Sequence, residues 1–125
     1  MLALRYRPLW IAISIVLVVV VVWGSLETKV PILVVSSDKL QHFATYLFLA
    51  VWFTGIVHRV RYAWVVAGLI ALGASMEITQ GLMHAGRTPD ISDMGANTAG
   101  VILGLLLGLL LTGGWAQKIE GWLPR

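Results

Sequence analysis

Three clusters of side chains able to carry charge or move a proton stand out in a largely apolar chain. The first is Asp38, Lys39, His42 and Tyr46, the second Glu77, Gln80 and His84, and the third Arg87, Asp90, Asp93 and Asn97. A helix turning about 100° per residue puts Glu77, Gln80 and His84 within about 60° of one another. It also sets His42 and Tyr46 on the face of Lys39, and Asp93 one turn from Asn97. Three kinds of chemistry suit these residues. Glu77, His42 or Asp93 can serve as a general base or acid, and these three are the candidate catalytic groups. Lys39 and Arg87 can meet an anionic group. With Asp38, Tyr46, Gln80, Asp90 and Asn97 they make the candidate substrate-binding set. The His and carboxylate groups can also hold a divalent metal ion, although their spacing matches no sharp metal motif and the ligands stay open. There is no serine nucleophile elbow, P-loop or HExxH zinc signature. With no cysteine in the chain, disulfides and thiolate zinc sites are excluded.

Charge narrows the substrate. Asp38, Glu77, Asp90 and Asp93 outweigh Lys39 and Arg87, so this polar set is formally about −2 with neutral histidines. A bare phosphate is repelled by it. An anionic headgroup requires protonated acids, an imidazolium or a bridging divalent ion. The competing structural readings are equally concrete. Glu77 can be paired with Arg87, His42 or Lys39 to lock helices together, and His42 or Asn97 can make an interhelical hydrogen bond. The stretch Arg87–Asp93 also has the composition of a helix start. His58 and His84 read as boundary residues.

The elements that position these residues follow from composition. Of 125 residues, 58% are hydrophobic and 12% charged, against about 25% charged in a soluble domain. That charge cannot cover a water-facing surface, so a soluble globule and a disordered chain are both excluded. The net charge of +3 is too small to argue for nucleic acid. Charge-free stretches run over 8–26, 40–58 and 94–117, and 62–86 contains only Glu77. About 20 helical residues cross a bilayer core, so these stretches predict four transmembrane helices, about 8–26, 40–58, 62–84 and 93–114, in one integral membrane domain spanning 1–125. The run Ile15–Val22 is β-branched, but in lipid the backbone must bond to itself and the helix wins. Its length and flanks disfavour a cleaved signal peptide.

Arg5, Arg7, Arg59, Arg61, Lys118 and Arg125 fall on one side of such a bundle, and Lys29, Lys39 and Arg87 on the other. Both termini are therefore expected to be cytoplasmic. The fold class expected is all-α, a four-helix transmembrane bundle with an outward-opening polar pocket between helices 2, 3 and 4. Helix 1, with no polar face, is expected as an anchor packed outside. The tryptophans are expected as interfacial anchors near span ends, and Gly113-Gly114 as the C-terminal exit. Gly100, Gly104 and Gly108 form a small-residue stripe for helix packing, serving either a neighbour in the chain or a second copy.

The string Asp38-Lys39-x-x-His42-Phe43-x-x-Tyr46, Glu77-x-x-Gln80 and Arg87-x-x-Asp90-x-x-Asp93-x-x-x-Asn97-x-x-Gly100 resembles the VanZ-like family of small bacterial membrane proteins, over about residues 36–108. The resemblance implies a multi-pass protein of the bacterial inner (plasma) membrane, linked through the family's namesake to glycopeptide (teicoplanin) resistance and so to the cell envelope. It implies no reaction, and whether the protein is an enzyme stays open. Two main readings compete. In one, the pocket binds or modifies a lipid-linked intermediate or phospholipid headgroup. In the other, the protein is a non-enzymatic subunit of a membrane complex. A proton- or ion-coupled carrier ranks last, because the cytoplasmic half offers no continuation of the polar path.

Overall fold

The computed structural model describes residues 1–26, 38–83 and 91–124, which form helices and no strand. The helices are α1 (Arg7–Leu26), α2 (Asp38–Ile56), α3 (Tyr62–Met83), α4 (Ile91–Leu107) and α5 (Trp115–Trp122). A 3-10 turn, Arg59–Arg61, leads into α3, and a π-helical turn, Gly108–Thr112, ends α4. Three helical stretches are long and apolar enough to cross a membrane: Arg7–Leu26, Arg59–Met83 and Ile91–Thr112. Large apolar side chains such as Val19 and Leu110 stand exposed on them, as lipid-facing residues do. The expected fourth span, α2, is not among the three. Its first turn and a half carries Asp38, Lys39, Gln41 and His42, which lowers its hydropathy.

The seam between α2 and α4 is the most extensive among the described helices, and glycine makes it. A Cβ on Gly104 would lie 2.8 Å from the Leu47 carbonyl oxygen and 2.5 Å from the Ala50 methyl. One on Gly100 would drive into the backbone of Phe43 and Leu47, and one on Gly108 into Thr54. The stripe is thus filled by α2 of the same chain, and a second copy could use it only by displacing α2. Tyr46, Leu49, Ala50, Leu69 and Val101 form the core beside this seam.

The end of α4 departs from the expected continuous helix to residue 114. The π turn frees backbone carbonyls, and the Arg59 guanidinium donates to the Leu109 carbonyl at 2.7 Å. Gly114, at φ 71°, reverses the chain where a side chain would be strained. Gly113-Gly114 is therefore a hinge into α5 rather than an exit. Trp115 lands on Gly55, which has no side chain to obstruct it, and donates its indole N–H to the Val51 carbonyl at 3.0 Å.

Here the chain ends meet. Leu2 N–H donates to Ile56 O, and Arg5 Nη1 to Pro124 O. Trp10, Trp52 and Trp115 pack ring against ring, with centroids 4.9–6.0 Å apart. Trp52 also donates to Ser14 Oγ at 2.9 Å. Glu120 closes the assembly by accepting from Arg5 N (2.6 Å), Tyr6 N (2.9 Å) and Trp10 Nε1 (2.7 Å). A carboxylate 114 residues away thus serves the free amides at the start of α1.

This arrangement adds to two expectations. Trp10, Trp52 and Trp115 are one packed cluster rather than separate interfacial anchors, because each indole has aromatic neighbours and a hydrogen-bond acceptor. Helix α1 lies on the outside as expected, with only Trp10 and Ser14 buried, but it is tied at both ends. Ser14 and Trp10 tie it at one end, and the Ser25 carbonyl accepts from Gln80 Nε2 at the other.

Candidate functional site

Three helices deliver the polar cluster, at the end of the molecule opposite the tryptophans. His42 stands one turn into α2, Asp93 lies in the first turn of α4 with Asn97 one turn on, and Glu77 sits in the last third of α3. The glycine seam holds α2 against α4 closely enough for short side chains to touch across it. Glu77, Asp93 and Asn97 are only 3%, 6% and 3% exposed. Ligand atoms of His42, Glu77 and Asp93 all lie within 4.8 Å of one another. Of the five buried polar residues among the described ones, three belong to this cluster.

The contacts form a chain. Lys39, at the mouth with its side chain 53% exposed, places Nζ 3.4 Å from Asp93 Oδ1. Asp93 Oδ2 is 3.6 Å from His42 Nε2. His42 Nδ1 lies 3.0 Å from Asn97 Oδ1. A carboxamide oxygen only accepts, so with that oxygen toward the ring Nδ1 carries the hydrogen. Nε2 is then the atom turned toward the carboxylates. In a neutral ring it presents a lone pair to Asp93, and two acceptors facing one another call for a proton or a cation between them.

Supporting residues hold this geometry. A Cβ on Gly73, one turn before Glu77, would lie 3.0 Å from Asn97 Nδ2 and 3.4 Å from the Tyr46 ring. Gly73 therefore makes room for Asn97 and for Tyr46, which is buried.

The sequence-predicted site residues separate into three groups. His42, Glu77, Asp93, Asn97 and Lys39 come together, and Tyr46 forms the floor. Gln80 is spent elsewhere, its amide bonding the last turn of α1. Arg87, Asp90 and His84 lie outside the described residues, as does the Asp38 side chain. Gly73 was missed, although its position one helical turn from Glu77 was a readable signal. Glu120 was also missed, because its partners are backbone amides that no side-chain pattern announces. An apolar groove runs along α4 past Ile91, Met94, Thr98, Ile102 and Leu106. None of the cluster residues lines it, and its chemistry suits acyl chains.

The VanZ/LLP1 family model matches residues 7–112. This chain belongs to the VanZ-like family. The match includes α1, which the polar spacing alone left outside, and takes in every described member of the cluster. Together with the three span-length helices, it makes the protein a VanZ-like membrane protein. No curated protein and no solved structure matches the chain.

Proposed function

We propose that the polar cluster is the floor of an outward-facing site that binds the anionic headgroup of a cell-envelope lipid. In this reading α2 is a fourth membrane-crossing helix. Both termini are cytoplasmic, the membrane is the bacterial inner membrane, and any contribution to teicoplanin tolerance acts through the bound lipid. The observation that carries the reading is the convergence of two buried carboxylates and an imidazole from three separate helices. Ionisable groups at membrane depth cost several kcal/mol each unless paired or solvated. Locking α2 to α4 does not require them, since the glycine seam already does so and apolar packing commonly serves as well as a buried ion pair.

The roles follow from position. Lys39, exposed at the mouth, meets the incoming negative charge. Asn97 fixes the imidazole, and Glu77 and His42 stand where a proton of the headgroup can be taken. The groove on α4 offers a track for acyl chains beside the site. Titration of dihexanoyl phosphatidylglycerol and dihexanoyl phosphatidylcholine into the detergent-solubilised chain tests this. The anionic lipid is expected to bind about tenfold or more tightly than the zwitterionic one, with the preference lost in Lys39→Glu. Equal affinities in the wild type would overturn the reading.

A further inference from the structure

We infer that His42, Glu77 and Asp93 form a binding site for one divalent transition-metal ion, with His42 coordinating through Nε2 and Asn97 as its positioning residue. The inference deepens the headgroup reading, because the ion would let an acidic site accept an anion. It does not depend on that reading for its own test.

The first argument is the donor set. One imidazole and two carboxylates from three helices suit ions such as Zn2+ or Mn2+. Two ligands about 2.1 Å from a tetrahedral ion stand about 3.4 Å apart, and His42 Nε2 to Asp93 Oδ2 is 3.6 Å. A pair as far apart as 4.8 Å must close by about 1.4 Å to reach that spacing, a movement within reach of a carboxylate rotamer change.

The second argument is the ring's other nitrogen. A histidine that ligates a metal characteristically donates its second N–H to an oxygen that fixes the tautomer. His42 Nδ1 does this toward Asn97 Oδ1, and Gly73 leaves the space in which Asn97 stands. An imidazolium would make the same Nδ1 contact and donate from Nε2 to Asp93, so metal content is the readout that separates the two.

The third argument is charge. Among the described residues of the cluster, two carboxylates, Glu77 and Asp93, stand against one ammonium, Lys39, with a neutral His42 adding no charge. A divalent ion supplies the positive charge, and its remaining coordination positions would be open to water or to a phosphate oxygen.

The test is metal content and metal affinity of the purified full-length chain in detergent, with Zn2+ and Mn2+ as the probes. One ion per chain is expected after loading and buffer exchange in the wild type. Glu77→Gln and His42→Ala are expected to lose it while keeping wild-type helicity by circular dichroism. Asn97→Leu should keep the ligands but weaken affinity by about 10–100-fold, and Asn97→Asp, which still accepts from Nδ1, should restore it. A wild type that binds neither ion stoichiometrically would overturn the inference, as would binding that survives both ligand substitutions. Titration of the wild type with phosphatidylglycerol and phosphatidylcholine, both metal-loaded and metal-free, separates the two proposals. Anionic preference without metal leaves the headgroup reading standing alone. Stoichiometric metal without anionic preference supports the metal site and sinks the headgroup reading.

Discussion

Glu120 and Glu77 are both carboxylates brought against helices distant in sequence, and they are served in opposite ways. Glu120 accepts from two backbone amides and an indole, all within 2.9 Å, beside three tryptophans that pack on one another. Glu77 is placed within reach of a second carboxylate and an imidazole, at 3% exposure. The first arrangement satisfies donors and holds the chain ends together. The second buries ionisable groups, two carboxylates beside an imidazole with Lys39 on Asp93, at a desolvation cost that an apolar side chain would not carry. Such a cost persists where a ligand makes use of it, and stabilising replacements at such places tend to remove activity. The contrast therefore sets a stabilising clasp against the proposed ligand site, and it predicts which substitutions should affect stability and which should affect binding.

The substitution expected to do most harm breaks both ends at once. Gly100→Leu forces a side chain into the backbone of α2, and overpacking of this kind costs about 3 kcal/mol or more. The folded protein should fail to accumulate in membranes, as read by yield after gentle extraction. Trp10→Ala comes next. It removes a buried ring from the clasp at about 3 kcal/mol, which should appear as a lower melting temperature while phosphatidylglycerol titration is unchanged. Loss of headgroup binding in this variant would erase the distinction between the ends. Ser14→Ala is smaller, about 1 kcal/mol, because it leaves the Trp52 indole N–H without its acceptor.

Glu120→Gln sharpens the comparison through pH. Burial raises the Glu120 carboxyl, but the hydrogen bonds from Tyr6, Trp10 and Arg5 together outweigh it and hold the group below its ordinary value of 4.5. A carboxyl depressed on folding contributes its full stability above its unfolded value and loses it as pH falls through the folded one. The melting temperatures of wild type and Glu120→Gln should therefore differ at neutral pH, begin to converge as pH falls through about 4.5 and meet only below the depressed folded value. A difference that persists in acid would mean that the clasp owes little to the ionised carboxylate.

How far the sequence disclosed the molecule depended on the kind of interaction. Helical periodicity and charge gaps marked the apolar helices α1, α3 and α4, since a long uncharged run has few alternatives in lipid. The same spacing grouped His42, Glu77, Asp93 and Asn97, because each lies on one face of its own helix and polar faces turn inward. Gln80 shares a face with Glu77 but bonds α1. Position on a helix gives direction, not the identity of the neighbour. The clasp was hidden for a related reason. Glu120 and Arg5 lie 115 residues apart, and their bond runs through a backbone amide, which leaves no residue-type signature. The α5 helix escaped notice because Gly113-Gly114 marks a stop equally well for a chain that ends and for one that turns back.

The central claim is that buried charge at the His42 end serves a ligand, whereas Glu120 serves the fold. Native mass spectrometry of gently extracted wild type, Glu77→Gln and Glu120→Gln tests it most directly, with melting temperatures measured on the same samples. The account predicts a retained phosphate-bearing lipid on wild type and Glu120→Gln, and its loss from Glu77→Gln. Glu77→Gln should melt at or above the wild-type temperature, and Glu120→Gln below it. If Glu77→Gln instead keeps the lipid and melts lower, the carboxylate at this end is structural, and the two ends do the same work.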